Sequence, residues 1–423
     1  MFDKFPILAW PCDALSERKI EEVKLWKEIG LTVNISNGYD EKIHDKSLML
    51  RLLDECQKYD IKLIVNDKRL IWNGAAADPE AYRERYRAAY KDFGKHPATL
   101  GFYIGDEPMK KNMDDVLMAF KIQKEEAPEL LPFLNLLPIW PQSNPPYMGF
   151  ETLENYLSFM KENYNATLLS YDRYNQMTGT EAGVNTYFHD MRIYNELAQT
   201  LDIPLWTCLL TIGHWDYKLP TEEEVRWQFN TALAGGCTGI IWFTMNEVQF
   251  VVNYHGAAID MFGNKTPSFY NLATVANHFH ASTADIFKDL KLDKCYHVGR
   301  AWGGYELFEP GVSDIILDIK SLKDTDLILS FFTHKNGDKY VAVVNNSKTV
   351  NNHNFNLTFN RKKCDPYEIK AYGQEVSVYG RYPNKDSHNF DPRRENNTES
   401  NDQERYTVNL WAAAGQMYLF KIK

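Results

Sequence analysis

Short apolar runs alternate with longer amphipathic segments along the first 290 residues of the chain. Each run is apolar almost throughout and stops at turn-forming or polar residues, as buried strands do. Between the runs, apolar positions recur every three or four residues, which predicts helices that cover a core. The pattern predicts strands at residues 7–10, 31–35, 62–65, 100–104, 131–137, 166–171, 204–210 and 239–243, and helices at 16–29, 45–59, 79–93, 113–126, 150–164, 187–201, 221–234 and 271–290.

The eight strand–helix units predict an α/β fold, a (β/α)8 TIM barrel. Strands that are apolar on both faces are typical of a parallel sheet buried under helices. About 290 residues in eight units is a usual size for such a barrel. The alternative is a doubly wound open sheet, which would carry a glycine-rich phosphate loop after the first strand. Residues 11–13 are Pro-Cys-Asp, so nucleotide binding loses support.

A different pattern follows residue 293. Short, often alternating runs separated by turn residues predict a smaller all-β sandwich. We therefore expect two domains, a barrel at residues 1–292 that holds the functional site and an accessory sandwich at 293–423. The polar stretch 383–404 predicts either a long mobile loop or an ordered excursion. The β runs are residues 314–319, 327–332, 340–344, 355–359, 374–378 and 416–422.

Composition and charge narrow the function. A net charge of -10 argues against a nucleic-acid surface, which needs clustered Lys and Arg. No apolar run approaches the length of a membrane span. The 6 cysteines are scattered without a CxxC pair, so a metal or redox motif lacks support. Aromatic residues make up 14% of the chain, which suits either sugar stacking or a bulky core.

The compartment stays open. No signal peptide is visible, and the first residues lead straight into the first predicted strand. This fits a chain made without a leader, and it also fits an exported mature form whose signal has been removed.

Residues 99–108, Thr-Leu-Gly-Phe-Tyr-Ile-Gly-Asp-Glu-Pro, carry the most informative chemistry. Pro108 lacks an amide proton and favours an extended Glu107, so the strand should end here. Asp106 and Glu107 then stand at the carboxyl end of the fourth strand, where parallel sheets and barrels bind ligands. The alternative is that the pair caps the next helix. It is disfavoured because helical sequence resumes only after residues 109–112.

Polar and aromatic residues follow the other predicted strands as well. Carboxylates offer acid–base or nucleophilic chemistry, amides bind hydroxyl groups and indoles offer stacking faces, a combination that suits a sugar ring. A metal site has less support, because His214 has no second ligand at the His-x-x-x-His spacing. The strand-end set is Trp10, Asn34, Asn66, Asp67, Asp106, Glu107, Asp172, Tyr174, His214, Trp215, Asn246 and Glu247.

The Asp106-Glu107-Pro108 motif, with segments 134–138, 170–174 and 239–243, resembles clan A glycoside hydrolases. The closest resemblance is to the β-galactosidase-like branch of bacterial polysaccharide degraders, and it covers residues 6–290. That clan places Asn-Glu, often Asn-Glu-Pro, at the end of the fourth strand. The resemblance implies that Glu107 is the general acid/base and that Asp106 replaces the clan's orienting Asn. The β-rich tail resembles the sandwich that often follows such barrels.

One position departs from the clan. Its retaining members carry a nucleophilic Glu after the seventh strand, whereas residues 211–216 here are Thr-Ile-Gly-His-Trp-Asp. Asp216 is the closest carboxylate but comes several residues late, and Glu247 and Asp172 are the other candidates. Three outcomes stay open: inversion with a displaced base, a substitute nucleophile, or lost catalysis.

We expect Glu107 and Glu247 to be catalytic, with a loop charge as the alternative for Glu247. Like-charge repulsion from Asp106 should raise the pKa of Glu107 toward neutrality. The loop at residues 251–256 either closes over the site or packs on the sandwich. The remaining expected substrate-binding residues are Asp106, Asp172 with Tyr174, the low-ranked rim residues Asn66 and His214, and the indoles Trp10, Trp215 and Trp242, each of which is equally well explained as core.

The sequence thus predicts a glycoside hydrolase that acts on an oligo- or polysaccharide and needs no cofactor. The alternative is a non-catalytic carbohydrate-binding protein on a decayed glycosidase barrel. A lyase or aldolase would want a lysine at a strand end, and only Lys68 comes near. The sugar, the linkage, the stereochemical course and the oligomeric state stay open.

Overall fold

The computed structural model describes residues 2–139, 144–247, 253–379 and 404–423. Two compact units divide the chain. The first contains residues 1–220 and 237–276, and the second contains 221–236 and 277–423. The predicted boundary between residues 292 and 293 stays a prediction. Nearly all of the predicted loop 383–404 lies outside the described residues.

Eight parallel strands form the centre of the first unit. They make two four-stranded sheets, ordered β1-β8-β7-β6 and β2-β3-β4-β5. One seam is joined by the Thr32 amide, which donates to the Ile7 carbonyl at 3.0 Å. The other is joined by the Leu136 amide, which donates to the Ser170 carbonyl at 2.8 Å. The strands are β1 (Ile7–Ala9), β2 (Val33–Ile35), β3 (Lys62–Val65), β4 (Thr99–Asp106), β5 (Leu131–Asn135), β6 (Leu169–Asp172), β7 (Leu205–Leu210) and β8 (Gly239–Phe243).

This closed ring confirms the predicted (β/α)8 barrel. Helices follow the strands where the periodicity predicts them, and local signals set their ends. Gly30 ends the first helix with a left-handed φ of 98°, and Pro79 occupies the first turn of the third. The helices are α1 (Glu17–Ile29), α2 (Lys46–Lys58), α3 (Pro79–Ala89), α4 (Met113–Glu126), α5 (Asn144–Tyr147), α6 (Leu153–Asn163) and α7 (Glu181–Leu201).

The interior of the barrel is filled by side chains from alternate positions of the strands. Leu8, Ile64, Phe133, Cys208 and Ile241 are buried there, as the two-residue repeat of a strand requires. Half-buried aromatic side chains pack on this core from one end. They are Trp10, Tyr103, Tyr174 and Phe243, together with Phe2.

The second unit is a two-sheet β structure with additional helices. A seven-stranded sheet and a three-stranded sheet share one core, which includes Leu329 and Phe420 from the first and Phe355 and Leu410 from the second. Helix α8 (Glu222–Ala234) begins at a capping box formed by Thr221 and Glu224. The other elements are α9 (Pro267–Ser282), which crosses the boundary between the units, α10 (Ala284–Phe287), β9 (Leu290–Val298), β10 (Glu306–Leu307), β11 (Ile316–Ser321), β12 (Leu327–His334), β13 (Lys339–Asn345), β14 (His353–Asn360), β15 (Pro366–Ile369), β16 (Glu375–Ser377), β17 (Arg405–Ala412) and β18 (Met417–Ile422).

These sheets confirm the predicted β-rich C-terminal part, with two local corrections. The single helix predicted at 271–290 is in fact α9 followed by the short α10, and residue 290 already begins β9. Strands β9, β15 and β17 were not predicted. Each of them contains polar or charged residues that interrupt a continuous apolar run.

Candidate active site

A β-bulge turns Asp106 toward the barrel interior. In the pairing of β4 with β5, Tyr103 lies opposite Phe133, but Gly105 already lies opposite Leu134 and Asp106 opposite Asn135. The extra residue reverses the alternation of side chains along β4. Tyr103 and Asp106 therefore share the inner face, although they are three positions apart and a regular strand would place them on opposite faces.

Gly105 makes this bulge possible. Its φ is +149°, and a Cβ atom added there would lie 1.8 Å from the Trp72 ring. A side chain at residue 105 therefore has no space. Glycine must precede Asp106 because only glycine fits the backbone conformation of the bulge, and the bulge places the Asp106 side chain on the inner face.

Glu107 follows with a left-handed backbone, at a φ of 48°. The prediction that β4 ends at this point is confirmed, because the strand stops at Asp106. The prediction that Pro108 holds Glu107 extended is wrong. The Glu107 amide still donates to the Asn135 carbonyl at 2.9 Å, and this bond fixes the turn against β5.

Asp172 reaches the same place from β6. Alternation along that strand sends Ser170 and Asp172 inward and Tyr171 outward, where Tyr171 stacks on Tyr194 at 4.4 Å between ring centroids. The Asp172 side chain is buried. Its carboxyl group shares a hydrogen bond with that of Glu107.

Asn135, at the end of β5, connects the carboxyl groups. Its Nδ2 donates to Asp172 Oδ1 at 2.9 Å and to Asp106 Oδ1 at 3.3 Å. Its own Oδ1 accepts from Ser170 Oγ at 2.9 Å, which fixes the amide orientation. Residues 106, 107, 135 and 172 thus form one hydrogen-bonded group, which we call the carboxylate cluster.

Burial raises the pKa of every acid in the cluster, and repulsion between the acids adds to this effect for Asp106 and Asp172. The pKa of Asp106 rises to about 7, first because of burial and then because of the charge of Glu107, while the Asn135 hydrogen bond lowers it. For Glu107 burial is the raising cause, and its hydrogen bond with Asp172 lowers the pKa. The pKa of Asp172 is raised well above its ordinary value by burial and by the charges of Glu107 and Asp106.

Asp106 and Glu107 nevertheless keep contact with solvent. A carboxyl group that lines a concave opening can touch solvent on one side while protein atoms surround it on the others. The exposure of Asp106 and Glu107 is therefore compatible with pKa values raised by burial. The hydrogen bond between Glu107 and Asp172 requires a proton on one of them, because two carboxylates repel. The pair therefore keeps a proton to a higher pH than an isolated carboxyl group would.

Aromatic rings surround the cluster on the inner side. Tyr103 shares the inner face of β4 with Asp106. Burial raises the pKa of Tyr103, and the charges of Asp106 and Glu107 add to this effect. Trp10 meets Tyr103 edge-on, with 5.8 Å between ring centroids. The Tyr174 hydroxyl donates to Cys208 Sγ at 3.2 Å, and the pKa of Tyr174 is raised by burial, with contributions from Asp172 and Asp106.

The inner face of β7 carries no acid. Its inward residues are Trp206, Cys208 and Leu210, and the buried Thr211, Ile212 and His214 follow. Asp216 lies beyond them and is exposed. The departure seen in the sequence is therefore a real feature of this barrel wall.

The other predicted site residues are distributed unevenly. His214 is buried, its pKa is lowered by burial, and its ring lies 5.0 Å from that of Tyr254 and 6.3 Å from that of Tyr174. Trp215 is adjacent and 65% exposed. Trp10 and Tyr174 belong to the surroundings of the cluster.

Three predicted residues have no described contact with the cluster. The Glu247 amide donates to the Ile259 carbonyl at 3.0 Å, and Asn66 uses its backbone to bind Ser36 and Tyr39. Trp242 is fully buried on the face of β8 opposite Ile241 and Phe243. Of the loop predicted to close over the site, residues 251 and 252 lie outside the described residues.

Sequence reasoning missed Asn135, Tyr103 and Cys12. Asn135 was placed inside a predicted strand that ran two residues too far, so it was not counted among the strand ends. The Cys12 thiol is close enough to Asp106 for that charge to act on it, and burial raises its pKa to about 11. Nothing in the sequence marks this cysteine as part of the site.

Metal binding and membrane spanning both lack support among the described residues. No group of three or more His, Cys, Asp or Glu side chains there is arranged to hold a metal ion. Over the same part of the chain, no helix has both the length and the apolar character needed to cross a bilayer.

The fold defines a class of architecture, a (β/α)8 barrel followed by a β-rich unit, and solved glycosidase structures share it. The chain is similar over 100% of its length, and 99% of the other, to the crystal structure of a β-galactosidase from Bacillus circulans sp. alkalophilus, with a TM-score of 0.62 and 10% identity. It is also similar to the cold-adapted β-galactosidase from Rahnella sp. R3, with a TM-score of 0.53, 12% identity, and coverage of 69% of this chain and 58% of that one. The β-galactosidase from the psychrophilic Marinomonas ef1 gives a TM-score of 0.50, 11% identity, and coverage of 65% of this chain and 60% of that one.

These similarities establish the fold. The chain spans about 60% of the length of the Marinomonas enzyme. No family model matches the sequence. No curated protein matches it either.

Proposed function

We propose that this protein hydrolyses glycosidic bonds, with Glu107 as the acid that protonates the leaving oxygen. The observation that carries the proposal is the carboxylate cluster at the carboxyl ends of β4, β5 and β6. A barrel places ligand chemistry at this end of its strands. The similarity of the fold to β-galactosidases adds support.

The proton for this step comes from the pair formed by Glu107 and Asp172. A general acid works best when its pKa lies near the working pH, and burial moves the pKa of Glu107 in that direction. Asp172 is buried and hydrogen-bonded to Glu107, so it acts through Glu107 as a positioning residue. Two carboxyl groups that flank a scissile bond stand about 5–5.5 Å apart for retention, or about 6.5–9.5 Å for inversion. A directly hydrogen-bonded pair leaves no room for the bond between them.

Glu247 has less support as the second carboxylate, since its described contact runs to Ile259. Asp106 has more support, because it lies inside the cluster and keeps solvent contact. We therefore assign Asp106 to contact with the sugar whose glycosidic bond is cleaved, and Glu107 to contact with the leaving oxygen.

Leaving-group dependence tests the role of Glu107. Glu107→Gln should lower kcat/KM by about 10²–10⁴-fold on alkyl glycosides, whose leaving oxygen needs a proton. On dinitrophenyl glycosides the loss should be much smaller, because that leaving group departs as an anion. The measurement is a comparison of kcat/KM for the two substrate series.

Glu84→Gln is the matched control. Glu84 is exposed on α3 and carries the same chemical change outside the site. It should behave as wild type on both series. Equal losses on both series in Glu107→Gln would remove Glu107 from the acid role.

A binding protein without catalysis is the second candidate. It is favoured by one observation, the acid-free inner face of β7. In that case no glycoside would turn over, while calorimetry would detect binding of oligosaccharides that Trp10→Ala weakens. Turnover that depends on Glu107 excludes this candidate.

A further inference from the structure

We propose that the substrate carries a 2-acetamido group trans to the leaving group, and that the carbonyl oxygen of this acetamido group is the nucleophile. Asp106 is the residue that holds the acetamido N–H during the attack. This inference rests on the proposed hydrolase function and names its substrate class.

The first argument concerns what can attack the anomeric carbon. The inner face of β7 offers an indole, a thiol and a leucine, and the described residues that follow it up to residue 215 contain no acid. Burial raises the pKa of the Cys208 thiol well above its ordinary value, which excludes a thiolate there at neutral pH. Asp172 is bonded to Glu107 and is buried. Among the described residues of β6, of β7 and of the segment up to residue 215, Glu107 thus has no free nucleophile opposite it.

The second argument concerns why an aspartate stands directly before the acid. Asp106 and Glu107 are consecutive, and the bulge in β4 turns Asp106 toward the interior beside Asn135. A carboxylate accepts hydrogen bonds only, so an ionised Asp106 suits a ligand N–H. The amide N–H of an acetamido group is such a donor, and a carboxylate that accepts its hydrogen bond makes the amide oxygen more nucleophilic.

The third argument concerns the surroundings of Asp106. Tyr103 shares the inner face of β4 with Asp106, and Trp10 meets Tyr103 edge-on. These rings offer an apolar surface for the acetyl methyl group next to a polar acceptor for the N–H. An acetamido group needs this combination, whereas a hydroxyl group at the same carbon has no methyl to bury.

The reaction balances without a cofactor. The acetamido oxygen forms a bond to C1 as the C1–O bond to the leaving group breaks, and the Glu107 proton moves to the departing oxygen. An oxazolinium ring results, with its N–H on Asp106. Glu107, now a carboxylate, takes a proton from water as the water oxygen bonds to C1 and the ring opens. The product keeps the anomeric configuration of the substrate, and Glu107 regains its proton.

A matched pair of substrates tests the proposal. Aryl 2-acetamido-2-deoxy-β-glycosides should turn over, whereas the corresponding aryl β-glycosides with a 2-hydroxyl group should react at least about 100-fold more slowly. Replacing the acetyl hydrogens stepwise by fluorine makes the carbonyl oxygen a weaker nucleophile. The trifluoroacetyl substrate should therefore lose about 100-fold in kcat, or more.

Variants separate the role of Asp106 from a structural one. Asp106→Asn should lower kcat on the acetamido substrate and flatten the dependence on fluorination, because the attack is no longer assisted. Asp324→Asn is the matched control: Asp324 is exposed in the second unit, and its φ of 49° suits asparagine. It should leave both quantities unchanged.

Each result has one meaning. Equal turnover of both substrates, or rates independent of fluorination, would overturn the acetamido mechanism and leave the hydrolase function in place. No turnover of any glycoside would overturn the hydrolase function and this inference together.

Discussion

Glu107 combines a rare backbone conformation with a buried acid pair. A non-glycine residue at a φ of 48° costs about 1 kcal/mol, and neighbouring contacts must hold it. Here the Glu107 amide is bonded to Asn135, and its carboxyl group to Asp172. Such strain is characteristic of functional positions, and the contacts that maintain it also set the protonation of the site.

The charge of Asp106 should destabilise the folded protein at high pH. Its folded pKa of about 7 lies above the ordinary value of 3.8, so the folded state binds more protons between these pH values. Its contribution to stability is complete below about pH 4 and is lost as the pH rises through 7.

Asp106→Asn should therefore stabilise the protein more at pH 8 than at pH 5. Because the carboxyl group keeps solvent contact, we expect about 1 kcal/mol at pH 8, well below the full linkage value. Thermal or denaturant unfolding at the two pH values measures this. Asp324→Asn should show no such pH dependence. A variant that is destabilised at pH 8 would contradict the assignment of Asp106 as a repelled acid.

Asn135 should limit the rise in the pKa of the neighbouring acids Asp106 and Asp172. Its amide lowers the pKa of both Asp106 and Asp172, so Asn135→Ala should raise both pKa values. The acid limb of the pH profile of kcat/KM should then move to higher pH. Loss of its buried hydrogen bonds should cost about 1–3 kcal/mol of stability.

Asn230→Ala controls for destabilisation alone. Asn230 Nδ2 donates to the Gly415 carbonyl at 2.7 Å, and both residues belong to the second unit. This variant should lose stability without moving the pH profile. An unchanged profile in Asn135→Ala would show that its hydrogen bonds do not tune the acids.

The sequence was informative for residues whose role depends on a strand end. Asp106, Glu107 and Asp172 were selected because each follows an apolar run, and the barrel brings them together. Asn135 was missed because the predicted fifth strand ran two residues past its true end. Tyr103 could not be selected, because the bulge that places it on the same face as Asp106 has no compositional signature.

At the scale of elements, β4 determines the geometry of the site. Gly101 is needed where a Cβ atom would lie 1.9 Å from the Leu131 carbonyl oxygen, and Gly105 where it would meet Trp72. Both glycines allow close approach in a strand that otherwise has no space to spare.

Gly105→Ala should therefore cost about 3 kcal/mol or more, from the clash with Trp72 and the unfavourable φ together. Gly74→Ala is the matched control, since Gly74 has a φ of +75° with no atom within 4 Å of an added Cβ. It should cost only about 1 kcal/mol. Denaturant midpoints give the comparison, and equal costs would show that the backbone, and not the space at Trp72, requires glycine at residue 105.

Strands and helices of the barrel were predictable because their apolar runs are continuous or regularly spaced. The strands that escaped prediction have mixed surfaces. In β9 the sequence Leu-Lys-Leu-Asp-Lys-Cys-Tyr-His-Val alternates buried with exposed positions only in part, and it continued an apparent helix. Tertiary packing, and not local pattern, decides such segments.

At the scale of the whole molecule, the second unit is discontinuous in sequence. Helix α8 belongs to it through buried contacts: Trp227 Nε1 donates to Asn346 Oδ1 at 2.9 Å, and Ser330 Oγ donates to the Ala234 carbonyl at 2.8 Å. Arg226 Nε also donates to the Ala414 carbonyl at 2.8 Å. The second unit therefore combines residues 221–236 with residues 277–423.

A fragment of residues 277–423 should accordingly fail to fold as a stable unit. This fragment lacks α8. The loss of the buried Trp227 side chain by itself should lower the free energy of unfolding by about 3–5 kcal/mol. We expect binding of a hydrophobic dye and a broad thermal transition. The same fragment preceded by residues 221–236 on a flexible linker should unfold cooperatively, and equal behaviour of the two fragments would refute the role of α8.

The two seams of the barrel have one more consequence. Glu107 projects from the half made of β2 to β5, whereas Asp172 projects from the half made of β6 to β8 and β1. The two acids that share a proton therefore lie on opposite sides of the seam between β5 and β6. The backbone hydrogen bond from the Leu136 amide to the Ser170 carbonyl helps to close this seam. Opening this seam would separate Glu107 from Asp172. The proposed acid pair therefore exists only in the closed barrel, and neither four-stranded half contains it alone.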